Sequence, residues 1–128
     1  MNILLDTHTF LWFIMGSDRL STTAKDYIND MGNDKYISIV SLWEIAIKVS
    51  LGKLNLSGSF DSIIPTQLKL NGFETLDISM QHLIFVSSLP FHHRDPFDRL
   101  IISQSITEKM PVVGTDPLFD SYPVTKIW

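Results

Sequence analysis

Residues 2–7 read NILLDT, a run of three large apolar residues that ends at an aspartate and a threonine. Consecutive apolar positions are typical of a short strand that is buried on both faces, as in a parallel sheet. The aspartate, Asp6, then suits the start of a helix that continues to about Met15. This strand-to-helix junction predicts an α/β fold, because parallel strands are joined by helical crossovers.

The same alternation repeats outward from that junction. Further strands are predicted at residues 36–38, 73–75, 112–114 and 124–127, and further helices at 21–32, 41–51, 60–70, 79–87 and 95–109. No repeat, low-complexity tract or linker divides the 128 residues, so we expect a single domain. The pattern predicts a central parallel sheet with helices on both faces.

The composition excludes several classes of protein. With 45% hydrophobic and 19% charged residues the chain is globular, and its lack of cysteine excludes disulfide scaffolds, cysteine-based metal sites and thiol nucleophiles. The apolar run at residues 10–15 is far shorter than the ~20 residues of a membrane span. No signal-peptide pattern precedes it. We therefore expect a cytoplasmic protein without a membrane partner. A net charge of −4 argues against a general nucleic-acid coat protein but is compatible with a carboxylate metal site.

Four acidic residues, Asp6, Glu44, Asp98 and Asp116, follow predicted strands or begin predicted helices. Ligands of parallel sheets bind at the carboxyl ends of the strands, so these side chains are expected to converge. Glu44 and Asp6 also have apolar neighbours, where a carboxylate is costly unless it is paired or bound to a metal. Mg²⁺ and Mn²⁺ favour oxygen ligands and assist phosphodiester hydrolysis, so the pattern indicates such a site.

Each acid also has a purely structural interpretation. Asp6 and Asp116 suit helix N-caps, and Glu44 can pair with Lys48 at i,i+4 for only ~0.2–0.5 kcal/mol. We assign Asp95 to capping alone. A non-catalytic binding module, in which the acids only cap helices, therefore stays open as an alternative function.

The chain resembles the PIN-domain ribonucleases, and specifically the VapC-like toxins of bacterial toxin–antitoxin pairs. The matching segments lie in order along the chain at residues 3–7 (ILLDT), 41–48 (SLWEIAIK), 89–101 (LPFHHRDPFDRLI), 114–116 (GTD) and 122–124 (YPV). The resemblance implies a three-layer sandwich with a central parallel sheet. It also implies an acidic pocket for Mg²⁺ or Mn²⁺, with Asp6, Glu44 and Asp98 as core ligands and Asp116 as the fourth.

The resemblance further implies an endoribonuclease that cleaves structured RNA such as tRNA or ribosomal RNA. It would act as a growth-inhibiting toxin neutralised by a cognate antitoxin, and as a homodimer. We expect water to attack phosphorus in line, leaving a 5′-phosphate and a 3′-hydroxyl. Arg99 and Arg94 are candidate phosphate contacts. Thr7 and Thr115 could orient metal ligands, although a local backbone hydrogen bond is the better interpretation of each.

Two further features leave alternatives open. His92 and His93 could cleave RNA without a metal by general acid–base chemistry, although adjacent side chains tend to point apart. His8 and His82 have no evident partner, so we expect structural roles for both. The apolar run at residues 10–15 suits either deep burial or a surface for a second copy or an antitoxin, and we favour the surface.

Overall fold

The computed structural model describes residues 1–128 and contains five strands, six α-helices and one 3₁₀ segment. The strands are β1 (Asn2–Leu5), β2 (Asp34–Ser38), β3 (Phe73–Leu76), β4 (Val112–Val113) and β5 (Lys126–Ile127). The helices are α1 (Thr7–Met15), α2 (Thr22–Asn29), α3 (Ile39–Ser50), α4 (Phe60–Leu70), α5 (Met80–Ser87) and α6 (Pro96–Glu108), and the 3₁₀ segment is Pro117–Ser121. None of the helices combines the length and the apolar character that crossing a membrane requires.

All strand pairs are parallel, and the sheet order is β3-β2-β1-β4-β5. The central strand β1 sends Ile3 and Leu5 into one apolar cluster and Leu4 into another, as the period of two along a strand requires. The first cluster packs α1, α2 and α4 on one face, and the second packs α5 and α6 on the other. The predicted three-layer α/β sandwich is confirmed.

Several element boundaries differ from the sequence prediction. Helix α3 begins at Ile39 rather than at residue 41, because the Ser38 hydroxyl accepts the Val40 N–H and caps the helix as soon as β2 ends. The 3₁₀ segment after Asp116 was not predicted. The last strand, predicted at 124–127, is limited to residues 126–127, since the Val124 N–H is bonded to the Tyr122 carbonyl instead of to β4.

Helix α1 is mainly a core helix, which corrects the expectation that it presents an apolar surface to a partner. Phe10 and Leu11 are buried, and Phe13 and Ile14 are half-buried against the first apolar cluster. Of the apolar run, Met15 is the exposed member, at the end of the helix. Burial from both the sheet and α4 explains why the sequence is apolar around the whole helix.

The loop between α5 and α6 is held by a buried arginine. The Arg99 guanidinium donates to the backbone carbonyls of Pro90 and Leu89 at 2.9 Å, and more weakly to those of His93 and Val86 at 3.4 and 3.3 Å. Only 6% of Arg99 is exposed. The expectation that Arg99 contacts a substrate phosphate is therefore wrong, because its donors are already used inside the protein.

Replacing this arginine should destabilise the fold. Arg99→Met leaves the carbonyl of the buried Leu89 without a donor and removes the other three bonds that hold the loop, so we expect the free energy of unfolding to fall by about 2–4 kcal/mol in urea denaturation. Arg94→Met is the matched control, because Arg94 is exposed and makes no hydrogen bond or ion pair; its effect should stay within about 0.5 kcal/mol. Equal effects of the two substitutions would contradict the structural role of Arg99.

Candidate functional site

An acidic pocket lies where the strand order reverses, between β1 and β4. Asp6 directly follows β1, and Asp116 follows β4 after two residues, so both reach the carboxyl edge of the sheet at this point. The pocket has a volume of about 520 Å³ and is lined by Asp6, His8, Trp12, Arg19, Asp98, Thr115, Asp116 and Pro117. The fold thus brings together three of the four predicted acids.

Two of these acids are fixed by capping a helix with one oxygen. Oδ1 of Asp6 accepts the Thr9 N–H at 2.8 Å, and Oδ1 of Asp116 accepts the Leu118 N–H at 3.0 Å. Oδ2 of Asp6 lies so close to Gly114 that a Cβ there would sit 2.7 Å from it. Glycine at position 114 therefore makes room for the carboxylate, and capping and facing the pocket are compatible roles.

Asp98 lies in the first turn of α6, where Asp95 performs the capping. Oδ1 of Asp95 accepts the N–H groups of Phe97 and Asp98 at 2.8 and 3.1 Å, which confirms its assignment as a cap. The Asp98 side chain is thereby left free for the pocket. Its carboxylate, that of Asp116 and the His93 ring offer ligand atoms that lie within 4.8 Å of one another.

Glu44 lies beside the pocket rather than in its lining. It is 7% exposed, accepts a hydrogen bond from the Thr7 hydroxyl at 2.8 Å, and pairs with Nζ of Lys48 at 3.1 Å. The Thr7 hydroxyl also lies 2.9 Å from that of Ser41. The preferred interpretation of Thr7 as a local backbone partner is therefore wrong, because its bond joins α1 to α3. Thr115, by contrast, is exposed at the pocket edge.

Two of the acids, Asp6 and Asp98, bind a proton more tightly than a free carboxyl does, mainly because they are buried. Burial raises the pKa of Asp6, and the charge of Asp116 adds to that effect. Burial, followed by the negative charges of Asp95, Glu44 and Asp116, raises the pKa of Asp98 to about 7. Crowded carboxylates with a raised pKa form a donor set that fits a hard divalent cation, because the cation removes the repulsion and supplies the missing charge.

His93 is a member of this site whose ring orientation is well defined. It is 4% exposed, its Nε2 lies 3.1 Å from Oδ2 of Asp116, and its buried Nδ1 has no hydrogen-bond partner. A proton on Nδ1 would be buried without an acceptor, so the neutral ring carries its proton on Nε2 and donates it to Asp116. That bond and the Leu118 N–H lower the pKa of Asp116, although burial alone would raise it.

The other three histidines differ in their burial and in their contacts. His82 is buried, with Nδ1 accepting the Ser79 N–H at 3.0 Å and Nε2 2.9 Å from Glu108, which confirms its structural role. His92 is exposed and packs edge-on against Tyr122. His8, for which a structural role was also expected, is exposed and lines the acidic pocket instead.

Sequence reasoning missed three residues that line the pocket. His8 and Trp12 are four residues apart on the helix that begins directly after Asp6, so they share one helix face next to the first acid, and that was a usable signal. Arg19 follows the end of α1, and nothing in the sequence pattern marks it. Arg94, which the sequence suggested as a phosphate contact, lies outside this pocket, in a separate groove lined by Phe91 of the loop and by residues of α5 and α6.

The comparisons with known proteins agree with this fold. The family model for the PIN domain matches residues 3–124. The VapBC2 complex of Rickettsia felis bound to promoter DNA has a chain that superposes with a TM-score of 0.76 at 21% identity, covering 98% of this chain and 97% of that one. DNA-bound VapBC of Salmonella typhimurium gives 0.71 at 16% identity, covering 98% and 96%. A toxin–antitoxin complex from Klebsiella pneumoniae gives 0.65 at 14%, covering 94% and 92%. No curated protein matches the sequence.

The raised pKa of Asp98 has a consequence for stability. Its folded pKa of about 7 lies above the ordinary value of 3.8, so the folded state holds this proton more tightly and loses stability as pH rises from about 4 to 7. Asp98→Asn removes the ionised group. In urea denaturation with EDTA we expect this variant to exceed the parent protein by roughly 1–2 kcal/mol at pH 8, allowing for partial solvent screening, and by little at pH 4.5.

Asp26→Asn on α2 is the control, because Asp26 is exposed and outside the pocket. This substitution should leave the change in the free energy of unfolding between pH 4.5 and pH 8 the same as in the parent protein. An Asp98→Asn variant no more stable than the parent protein at pH 8 would show that burial and the neighbouring carboxylates together do not penalise the ionised Asp98.

Proposed function

The chain belongs to the PIN-domain family, and from that premise we propose that it is a divalent-metal-dependent endoribonuclease that cleaves structured cellular RNA. The observation that carries the proposal is the convergence of Asp6, Asp98 and Asp116 on one pocket at the switch point of the sheet. Structural roles alone do not account for this convergence. Asp6 and Asp116 cap helices through a single oxygen each, and the Asp98 side chain caps nothing.

Asp6, Asp98 and Asp116 would hold the cation, Mg²⁺ or Mn²⁺, and Glu44 would support them from beside the pocket. When bound, such a cation favours hydrolysis by lowering the pKa of an attacking water and by stabilising charge on the phosphoryl group. The thiol-free, carboxylate-rich donor set suits these hard ions. Since Asp98 must lose its proton to serve as a ligand, its raised pKa makes cation binding tighter above pH 7 than below it.

In this proposal the main task of the protein is to hold the metal-binding carboxylates in place. The Asp6 and Asp116 carboxylates are held by backbone N–H groups, and Glu44 is held by Thr7 and Lys48. Water attacks phosphorus in line, a P–O bond forms to the water oxygen, and the bond to the 3′ oxygen breaks. The products are a 5′-phosphate and a 3′-hydroxyl.

We also propose that the chain is a toxin with a cognate antitoxin and forms a homodimer. Support comes from the similar structures, which are toxin–antitoxin complexes by name. Further support comes from α5, where Met80, Leu83 and Ile84 expose 71%, 44% and 62% of their surface. Exposed apolar side chains on one helix are typical of a protein interface.

Cleavage of RNA tests the nuclease proposal. The purified chain is incubated with tRNA and ribosomal RNA in Mg²⁺ or Mn²⁺, and in EDTA. We expect discrete cuts with 5′-phosphate ends that need the metal. Asp6→Asn should reduce the rate at least about 100-fold, since changing residues that merely support metal ligands already costs about 10–100-fold, whereas Asp26→Asn should cut like the parent protein. Cuts that persist in EDTA would instead indicate the histidine mechanism, and neither cutting nor stabilisation by Mn²⁺ would indicate a binding module.

His93 should act on the cation through Asp116. His93→Phe removes the donor to Asp116, and we expect Mn²⁺ affinity, measured by electron paramagnetic resonance, to fall about 10–100-fold. His93→Gln keeps an N–H donor and should retain most of the affinity. If the glutamine variant loses as much as the phenylalanine variant, the imidazole nitrogen itself is a ligand, and the donor role is wrong.

A further inference from the structure

An aromatic pair extends the acidic pocket along α1. His8 and Trp12 are one helical turn apart, and their ring centroids lie 5.9 Å from each other. Trp12 in turn meets the Trp128 ring at 5.7 Å. Because α1 begins directly after Asp6, His8 lies next to that carboxylate in the chain and Trp12 lies one helical turn farther along. His8 is exposed and Trp12 is half-buried, so both present ring surface to the pocket that they line.

The positively charged side chain of Arg19 also lines this pocket. Helix α1 ends at Gly16 in the left-handed region (φ 64°), and the chain turns back so that the Ser17 N–H bonds the Trp12 carbonyl at 2.9 Å. This turn brings Arg19 to the pocket. The Arg19 guanidinium makes no ion pair and no hydrogen bond within the chain, and its side chain is exposed.

Arg19 is the one lysine or arginine in the lining of the acidic pocket. Lys48 is paired with Glu44, and the Arg99 donors are used by carbonyls. The chain as a whole carries a charge of −4 and three carboxylates line the pocket, so a phosphate backbone is repelled unless local cations balance them. An unpaired guanidinium matches phosphate oxygens by bidentate hydrogen bonding.

From this arrangement we infer that His8, Trp12 and Arg19 form a nucleotide subsite beside the acids. Trp12, flanked by His8, stacks on one unstacked base, and Arg19 binds a phosphate next to the bond that is cleaved. Stacking on aromatic side chains and phosphate contacts from arginine are how proteins hold single-stranded RNA. The inference rests on the proposed ribonuclease function, and it assigns the substrate a splayed base at the cleavage site, as found in loops and bulges rather than in continuous duplex.

Binding to a labelled single-stranded RNA oligonucleotide of mixed sequence tests the subsite, measured by fluorescence anisotropy at several salt concentrations in Ca²⁺, which replaces Mg²⁺ and Mn²⁺ so that the RNA stays intact. Arg19→Ala should weaken binding about tenfold and reduce the slope of log affinity against log salt by about 0.7. Trp12→Leu should weaken binding at least about fivefold, and Trp12→Tyr, which keeps an aromatic face, should restore most of it. Arg94→Ala is the matched control, because Arg94 is equally exposed and unpaired but lies outside the pocket.

The melting temperature and the Mn²⁺ affinity of each variant are measured alongside. Mn²⁺ binding should not weaken in the variants at positions 12 and 19, and Trp12→Tyr, which keeps an aromatic ring against Trp128, separates lost base stacking from lost stability. Equal losses from Arg19→Ala and Arg94→Ala, or a Trp12→Leu variant that binds like the parent protein, would overturn the subsite. If the parent protein cleaves RNA in that case, the nuclease proposal still stands. A parent protein that neither binds nor cleaves RNA would overturn both.

Discussion

The repulsion between carboxylates at the junction of β1 and β4 is the constraint around which this molecule is arranged. Asp6, Asp98 and Asp116 share a pocket, and burial, with the charges of nearby carboxylates added to it, raises the pKa of Asp98 to about 7. Such crowding persists only because local structure fixes each group independently. Asp6 and Asp116 are each tied to a backbone N–H, and Asp98 lies on a helix capped by Asp95. The sheet supplies the position, and the caps supply the orientation.

Burying carboxylates in the pocket lowers the stability of the fold. The two apolar clusters offset this cost, together with polar contacts that hold loops against the clusters. Arg99 binds the carbonyls of the loop before α6. The Tyr122 hydroxyl accepts the His93 N–H at 2.8 Å and donates to the Pro90 carbonyl at 2.9 Å. His93 is thereby fixed at both its backbone and, through Asp116, its ring. The buried Arg99 guanidinium and the buried His93 ring thus determine the shape of a loop that has little regular structure of its own.

Local sequence patterns predicted the strands and the acids that come after them, whereas contacts between distant elements were missed. Consecutive apolar residues identified β1, and positions after strands identified Asp6 and Asp116, because both signals depend on a few neighbouring residues. The bond from Thr7 to Glu44 joins helices that are far apart in the chain. The structural role of Arg99 depends on how the irregular loop just before α6 folds back onto the guanidinium. No spacing rule separates a buried arginine that holds carbonyls from one that meets phosphate. The place of Arg19 at the pocket likewise depends on the turn after α1.

The proposed function makes the binding of the cation and the binding of RNA depend on each other. In the absence of a cation, the three carboxylates oppose the phosphate backbone, and Arg19 is the one fixed positive group in the pocket lining. A bound divalent ion offsets most of that negative charge, so it favours RNA binding. Linkage requires the converse, that bound RNA raises the affinity for the cation by the same factor. A pocket with a carboxyl pKa of about 7 and a single arginine is therefore suited to hold neither ligand tightly alone and both together.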